Sequence, residues 1–150
     1  MTEQTLKQSI QSAVKDAMKG RQKERVAALR LIMSDIKRIE VDERIEVDDA
    51  RLLVILDKML KQRRESHAQY ETAGRSDLAQ TEAYEMGVIQ EFLPAALSAE
   101  AIDLIIDKAI AQSGAATVKD MGAVMSLVKP QVQGRADMSA VSRQIKQRLA

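Results

Sequence analysis

The chain has no cysteine and a single histidine, His67, among its 150 residues. Disulfides, cysteine-ligated zinc, iron–sulfur clusters and thiol nucleophiles are thereby excluded, as are multi-histidine metal sites and most histidine-based triads. Aromatic residues amount to 2%: Tyr70, Tyr84 and Phe92. Platforms that stack successive single-stranded bases need more aromatic faces than this. The 6 glycines never gather into a phosphate-cradling loop, so the common nucleotide-binding motifs are missing. No zinc-protease pair, nucleophile elbow or Ser-Lys arrangement with supporting glycines is present. Met1 to Thr5 carries no apolar signal region, and no apolar run approaches the roughly 18 residues of a membrane span. The expectation is a cytoplasmic protein away from membranes, with no cofactor and no metal.

What the chain does contain is helix-forming sequence: 45% hydrophobic and 30% charged residues, with only 2 prolines. Its apolar residues recur close to every 3.6 positions, which predicts an all-α fold. Leu6, Ile10 and Val14 define a first helix, with Gly20 as a left-handed stop. A second runs from near Gln22 to about Glu40 and buries Val26, Leu29, Ile32, Met33, Ile36 and Ile39. Ile45 and Val47 lie in an acidic connection, as a turn or a short extended piece. Asp48 caps a third helix, Asp49 to about Thr72. Ala73 to Ser76 forms a tight break, and Ser76 or Asp77 caps a fourth helix ending at Phe92. Leu93-Pro94 closes this four-helix domain, residues 1–94. Residues 95–150 form a three-helix domain. Ser98 caps its first helix, which stops near Gly114; Thr117 caps the second, ended at Pro130; Asp137 caps the last, which buries Met138, Val141, Ile145 and Leu149. A unit of this size is near the lower limit for a self-sufficient core.

Net charge is +1, so bulk charge says nothing about partners, but its distribution is uneven. Residues 15–38 carry a net +5 and residues 117–150 a net +4, while residues 40–49 hold six acids against Arg44. Such patches act on a polyanion within a Debye length of roughly 8 Å. The same pattern also describes solvated helix faces.

One polar cluster departs from the apolar pattern. Arg63, His67 and Tyr70 continue the apolar stripe of the third helix, and Glu82 and Glu85 fall on that of the fourth. Folding the two helices back about Gly74 and Arg75 places His67 near Glu82 and Arg63 near Glu85. Buried charges must be paired, so the arrangement reads as a register lock for the hairpin. One His with two Glu also suits an acid/base or metal site in principle.

Lys61-Gln62-Arg63, Ser66, Tyr70, Ala73-Gly74-Arg75, Asp77-Leu78, Glu82, Glu85, Ile89 and Phe92-Leu93-Pro94 together resemble the signature of the GatB/YqeY family. Arg25, Leu29-Arg30-Leu31 and Ile36-Lys37 fit it too. So do Lys119-Asp120-Met121-Gly122, Val124-Met125, Lys129-Pro130 and Gly134-Arg135-Ala136-Asp137, which resemble the family's tail motif. The likeness runs over essentially the whole chain for the stand-alone YqeY-like members. One departure is Met138, where amidotransferase tails often carry proline.

The resemblance implies a helical N-terminal domain followed by a small three-helix domain. Similar segments form the C-terminal tail of the B subunit of the tRNA-dependent glutamine amidotransferase, and members are commonly labelled carbon–nitrogen ligases with glutamine as amido donor. In that enzyme ATP-dependent activation belongs to another domain of the B subunit and glutamine hydrolysis to the A subunit. The tail engages tRNA. The likeness therefore implies an accessory role without a catalytic residue in this chain.

The basic residues fit such a role. Arg143 and Lys146 lie opposite the apolar stripe of the last helix, and Lys129 and Arg135 flank the turn that feeds it. These four are the candidate phosphate contacts on tRNA or another structured RNA, read by shape and not by stacking. Lys23, Arg30 and Lys37, at heptad spacing, form a second stripe. A protein-interaction adaptor docking on a larger translation-related complex is the alternative, and its partner would be a protein. A free-standing amidotransferase is the third.

Overall fold

The computed structural model describes residues 4–150, and among these the regular elements are all helical. The chain divides into two compact units between Leu93 and Pro94.

The first unit contains α1 (Leu6–Lys19), α2 (Lys23–Glu43), α3 (Asp49–Thr72) and α4 (Ser76–Gln90). A capping box opens α1: the Thr5 hydroxyl accepts from the Gln8 N–H at 3.2 Å, and Gln8 Oε1 accepts from the Thr5 N–H at 2.9 Å. The Asp48 carboxylate opens α3 by accepting from the Arg51 N–H at 2.8 Å. Ile10, Leu29, Ile32, Ile36, Leu52, Leu56 and Ile89 are buried in one core, with Val47 reaching it from the α2–α3 connection. Each fully buried aliphatic side chain contributes roughly 2 kcal/mol.

Several local expectations are corrected here. Gly20 is not left-handed, with φ −81°; the left-handed residue is Arg21, φ 56°. The Gln22 N–H donates to the Ala17 carbonyl at 2.9 Å and the Arg21 N–H to the Met18 carbonyl at 3.1 Å, so the helix-ending motif sits one residue later than the glycine. The second helix does not end at Glu40 but continues to Glu43. Acids at a helix C-terminus are unfavourable with the macrodipole, yet Arg51 of α3 pairs with Glu43 at 2.5 Å and offsets this. The fourth helix is not capped by Ser76 or Asp77: Arg75 occupies the cap position without a side-chain cap, and α4 ends at Gln90, with residues 91–93 in a turn. Asp77 instead accepts from the Arg75 guanidinium at 3.2 Å. Ile45 and Val47 lie in the irregular connection between α2 and α3, where Val47 is held by its N–H donating to Glu40 at 2.9 Å.

The second unit contains α5 (Ala99–Ser113), a 3-10 turn (Val118–Asp120), α6 (Met121–Val132) and α7 (Met138–Leu149). Ser98 caps α5 by accepting from the Ala101 N–H at 3.1 Å, and Gly114, φ 69°, ends it. Asp137 caps α7 by accepting from the Ser139 N–H at 3.1 Å. The core is Ile106, Ala109, Val124, Val128, Val132, Val141, Ile145 and Leu149.

Thr117 leads into the 3-10 turn and not directly into α6, and the Asp120 carboxylate takes the N–H groups of Ala116 and Thr117 at 2.9 and 3.1 Å. Nor does Pro130 end the helix: it stands inside α6, which continues to Val132. An interior proline removes one ladder bond at a cost of about 3 kcal/mol. Here the fully buried Val128 and Val132 flank it, and the Gln133 N–H still reaches the Lys129 carbonyl at 2.9 Å, so packing carries the last turn through.

Candidate nucleic-acid interface

Several charged side chains of the first unit are committed to architecture, whereas Arg21, Lys23 and Arg30 are exposed without an ion pair among the described residues. Lys7 of α1 meets Glu40 of α2 at 2.9 Å, and Arg25 of α2 meets Glu91 beyond α4 at 2.5 Å. The Glu40 carboxyl is held below the ordinary carboxylate range, first by the Val47 N–H and then by Lys7.

The α3–α4 hairpin contains the expected polar cluster. Arg63 Nε lies 2.6 Å from Glu85 and 3.6 Å from Glu82, with side-chain exposures of 21, 17 and 16% for Arg63, Glu85 and Glu82. His67 does not pair with Glu82. Its Nε2 lies 3.6 Å from Glu71, one turn along its own helix, where the i,i+4 spacing supplies a nearer carboxylate. Tyr70 is half-buried, and its carbonyl accepts from the Arg75 N–H at 2.9 Å in the break between the helices. Burial and the adjacent Glu85 charge push the Glu82 carboxyl up, against the opposing pull of Arg63 and His67. Two carboxylates facing one guanidinium lock the hairpin register. Among the described residues no three acidic or histidine side chains form a metal-binding group.

The basic residues of the second unit are disposed differently. Arg143 and Lys146 are exposed on α7, one turn apart, while Val141, Ile145 and Leu149 are buried. Lys129 is exposed in the last turn of α6. None of these three forms an ion pair among the described residues. Arg135 is half-buried: its Nε donates to the Ala95 carbonyl at 3.2 Å, its N–H to Val132 at 2.8 Å, and its carbonyl accepts from Leu97 at 2.9 Å. It fixes the turn before α7 to the segment that opens the unit.

Asp137 has φ −73° and ψ 111°, the extended conformation that precedes proline, and Met138 is the first helical residue. The departure at Met138 thus leaves the turn geometry open to either residue. Sequence reasoning passed over Arg148, which reaches Asp103 at 2.9 Å and Asp107 as well, tying α7 to α5. The signal was present, since Asp103 and Asp107 stand at i,i+4 on one face of α5.

On α2, Lys23, Arg30 and Lys37 are all exposed, in the stripe their heptad spacing predicts. Arg30 has an unusual neighbour, the Met18 sulfur of α1, 3.8 Å from its Nη2.

The two-unit helical chain belongs to the Yqey-like protein family, whose profile matches residues 7–149. It is also similar to an uncharacterized protein of Schizosaccharomyces pombe. The two are 31% identical over 85 residues, which cover 57% of this chain and 69% of the yeast protein. Among the described residues no helix is long and apolar enough to cross a membrane.

Proposed function

We propose that this protein is a cytoplasmic accessory protein of the amidotransferase-tail type that binds tRNA or another structured RNA. Lys129, Arg135, Arg143 and Lys146 hold phosphates, and Lys23, Arg30 and Lys37 offer a second contact. No residue is assigned to catalysis, and the carbon–nitrogen ligase label common in the family attaches to chemistry that neighbouring domains of the amidotransferase perform.

The observation that carries this reading is the contrast within α7. Arg148 is bound to two aspartates, whereas Arg143 and Lys146 face solvent with no carboxylate partner among the described residues. Cations left unpaired on a rigid helix are suited to contacts with phosphates, which position a nucleic acid without reading its bases. The shortage of aromatic residues favours shape recognition over stacking.

Titrating the protein into labelled bulk tRNA at low and physiological salt, with an unstructured RNA of equal length as competitor, tests the reading. Saturable binding that prefers tRNA is expected. The double variant Arg143→Glu/Lys146→Glu should weaken it and flatten its salt dependence by about two phosphate contacts. Unchanged affinity in that variant would sink the assignment.

A protein adaptor is the second reading, favoured by Leu104 and Val118 of the second unit, which are 55 and 38% exposed. A stoichiometric protein partner that co-purifies without nucleic acid would place it ahead.

A further inference from the structure

Where α1 turns into α2, a surface groove of about 380 Å³ is lined by Met18, Arg21, Lys23, Val26, Ala27 and Arg30. Its floor is apolar and its rim carries three cations and no carboxylate. Met18, 51% exposed, supplies an accessible apolar surface among these lining cations. None of Arg21, Lys23 and Arg30 forms an ion pair among the described residues; the one side-chain contact of Arg30 is with the Met18 sulfur.

The backbone adds a second observation. A left-handed residue ends α1, and that position normally favours glycine. Gly20 lies one residue away with an ordinary φ of −81°, while Arg21 takes φ 56°. Arg44 ends α2 in the same conformation, φ 55°, so the left-handed backbone alone does not mark a site; what counts at Arg21 is its position. Its effect here is to place a guanidinium at the groove rim.

We infer that this groove receives an acidic amphipathic helix of a partner protein. One or two bulky apolar side chains of that helix would sit on Met18, Val26 and Ala27, while Asp or Glu residues meet Arg21, Lys23 and Arg30. The flexible, polarisable Met18 side chain adapts to an apolar anchor. Lys23 and Arg30 lie seven residues apart on α2, or about 10 Å at 1.5 Å per residue. The matching partner pattern is an acid at each end of two helical turns, with an apolar residue three or four positions from each. A nucleic acid satisfies the cations but not the floor, since no aromatic side chain lines the groove to receive a base. The inference goes beyond the RNA reading and does not depend on it.

The probe is a fluorescent 16-residue helical peptide with a leucine stripe flanked by glutamates in that spacing. A scrambled peptide of the same composition and bulk tRNA serve as rivals. Saturable binding of the patterned peptide, at least about tenfold tighter than the scramble, is expected. Met18→Ala and Ala27→Glu should each weaken it severalfold, with the circular dichroism of the protein unchanged.

Arg21→Gly separates function from architecture. Relief of strain should raise the melting temperature by roughly 2–4 °C while peptide affinity falls. Equal binding of patterned and scrambled peptides, or no saturation by the patterned one, would overturn the inference. So would peptide affinity that ignores Met18→Ala and Ala27→Glu, or full displacement of the peptide by tRNA from the Arg143→Glu/Lys146→Glu variant, which would mark the groove itself as a polyanion contact. Arg143→Glu/Lys146→Glu should leave peptide binding intact, so failure of the RNA reading and failure of this one are distinguishable.

Discussion

In the unit that ends at Leu93, basic side chains bind one helix to the next: Lys7 to Glu40, Arg51 to Glu43, Arg25 to Glu91 and Arg63 to Glu85. In the unit that begins at Pro94, Arg148 makes such a link to Asp103 and Asp107, while Lys129, Arg143 and Lys146 face solvent. The units also differ in charge density, with 33 Asp, Glu, Lys and Arg among residues 1–93 and 12 among residues 94–150, and the ion pairs that join helices are concentrated in the first. The larger one adds ion pairs to its apolar core to fix which helices meet and in what register. The smaller one relies on eight buried aliphatic side chains, leaving its cations available for a partner.

The contrast is most easily broken in the smaller core. Ile145 is fully buried between α5, α6 and α7, and Ile145→Ala should cost about 3 kcal/mol. For a unit near the lower size limit that is a large share of its stability. Hydrogen exchange should show protection lost across residues 99–149 and retained in α2 and α3. Loss across the whole chain would mean the two units unfold as one.

The next effect separates the ion pairs by burial. Arg63→Ala leaves two half-buried carboxylates without their cation and should cost about 2 kcal/mol in urea denaturation. Arg148→Ala breaks pairs whose aspartates are more than half exposed, and a loss below about 1 kcal/mol is expected. Equal losses would remove the distinction between architectural and surface pairs. A smaller change of opposite sign is expected at Gly87, inside α4, where an added methyl group would meet no neighbouring side chain within 4 Å. There Gly87→Ala should stabilise the first unit by roughly 0.5–1 kcal/mol.

The subtlest test is the sign of two pH dependences within the first unit. The folded-state Glu82 carboxyl titrates above its ordinary 4.5, so the native chain holds that proton after the unfolded chain has lost it. Stability from this group therefore falls as pH rises from about 4.5 through the raised folded value. Glu40 titrates below 4.5, so its contribution is complete above that pH and is lost as pH falls through its lowered folded value. Denaturation midpoints from pH 3 to 7 (a range of about four units) should show Glu82→Gln removing the first trend and Glu40→Gln the second. Parallel profiles for both variants would contradict the burial argument for Glu82.

The helices were legible because burial of an apolar stripe and local capping act over a few residues. Asp48, Ser98 and Asp137 cap where their short polar side chains predict, and the 3.6-residue period of Leu52, Leu56 and Met59 marks a buried face. The misplaced boundaries share a cause. Glu43 stays helical because Arg51 arrives from another helix, and Pro130 because Val132 is needed in the core. Part of the polar cluster was legible too, since Arg63 and Glu85 fall on facing stripes. His67 lies close enough to act on the Glu82 charge, as its stripe predicts, but its nearest ion-pair partner is Glu71, one turn along its own helix.

Residue type, periodicity and capping by themselves determined an all-helical chain and the exclusion of thiol and multi-histidine chemistry, while the resemblance of its motifs pointed to the family. They also put Arg143 and Lys146 opposite a buried stripe, because helical geometry alone decides that. Tertiary structure decided which charges are committed and which remain available, since an ion pair such as Arg148 with Asp103 joins residues 45 positions apart. It also decided that Arg21, and not Gly20, carries the left-handed turn beside the groove, because that choice depends on how α1 and α2 pack.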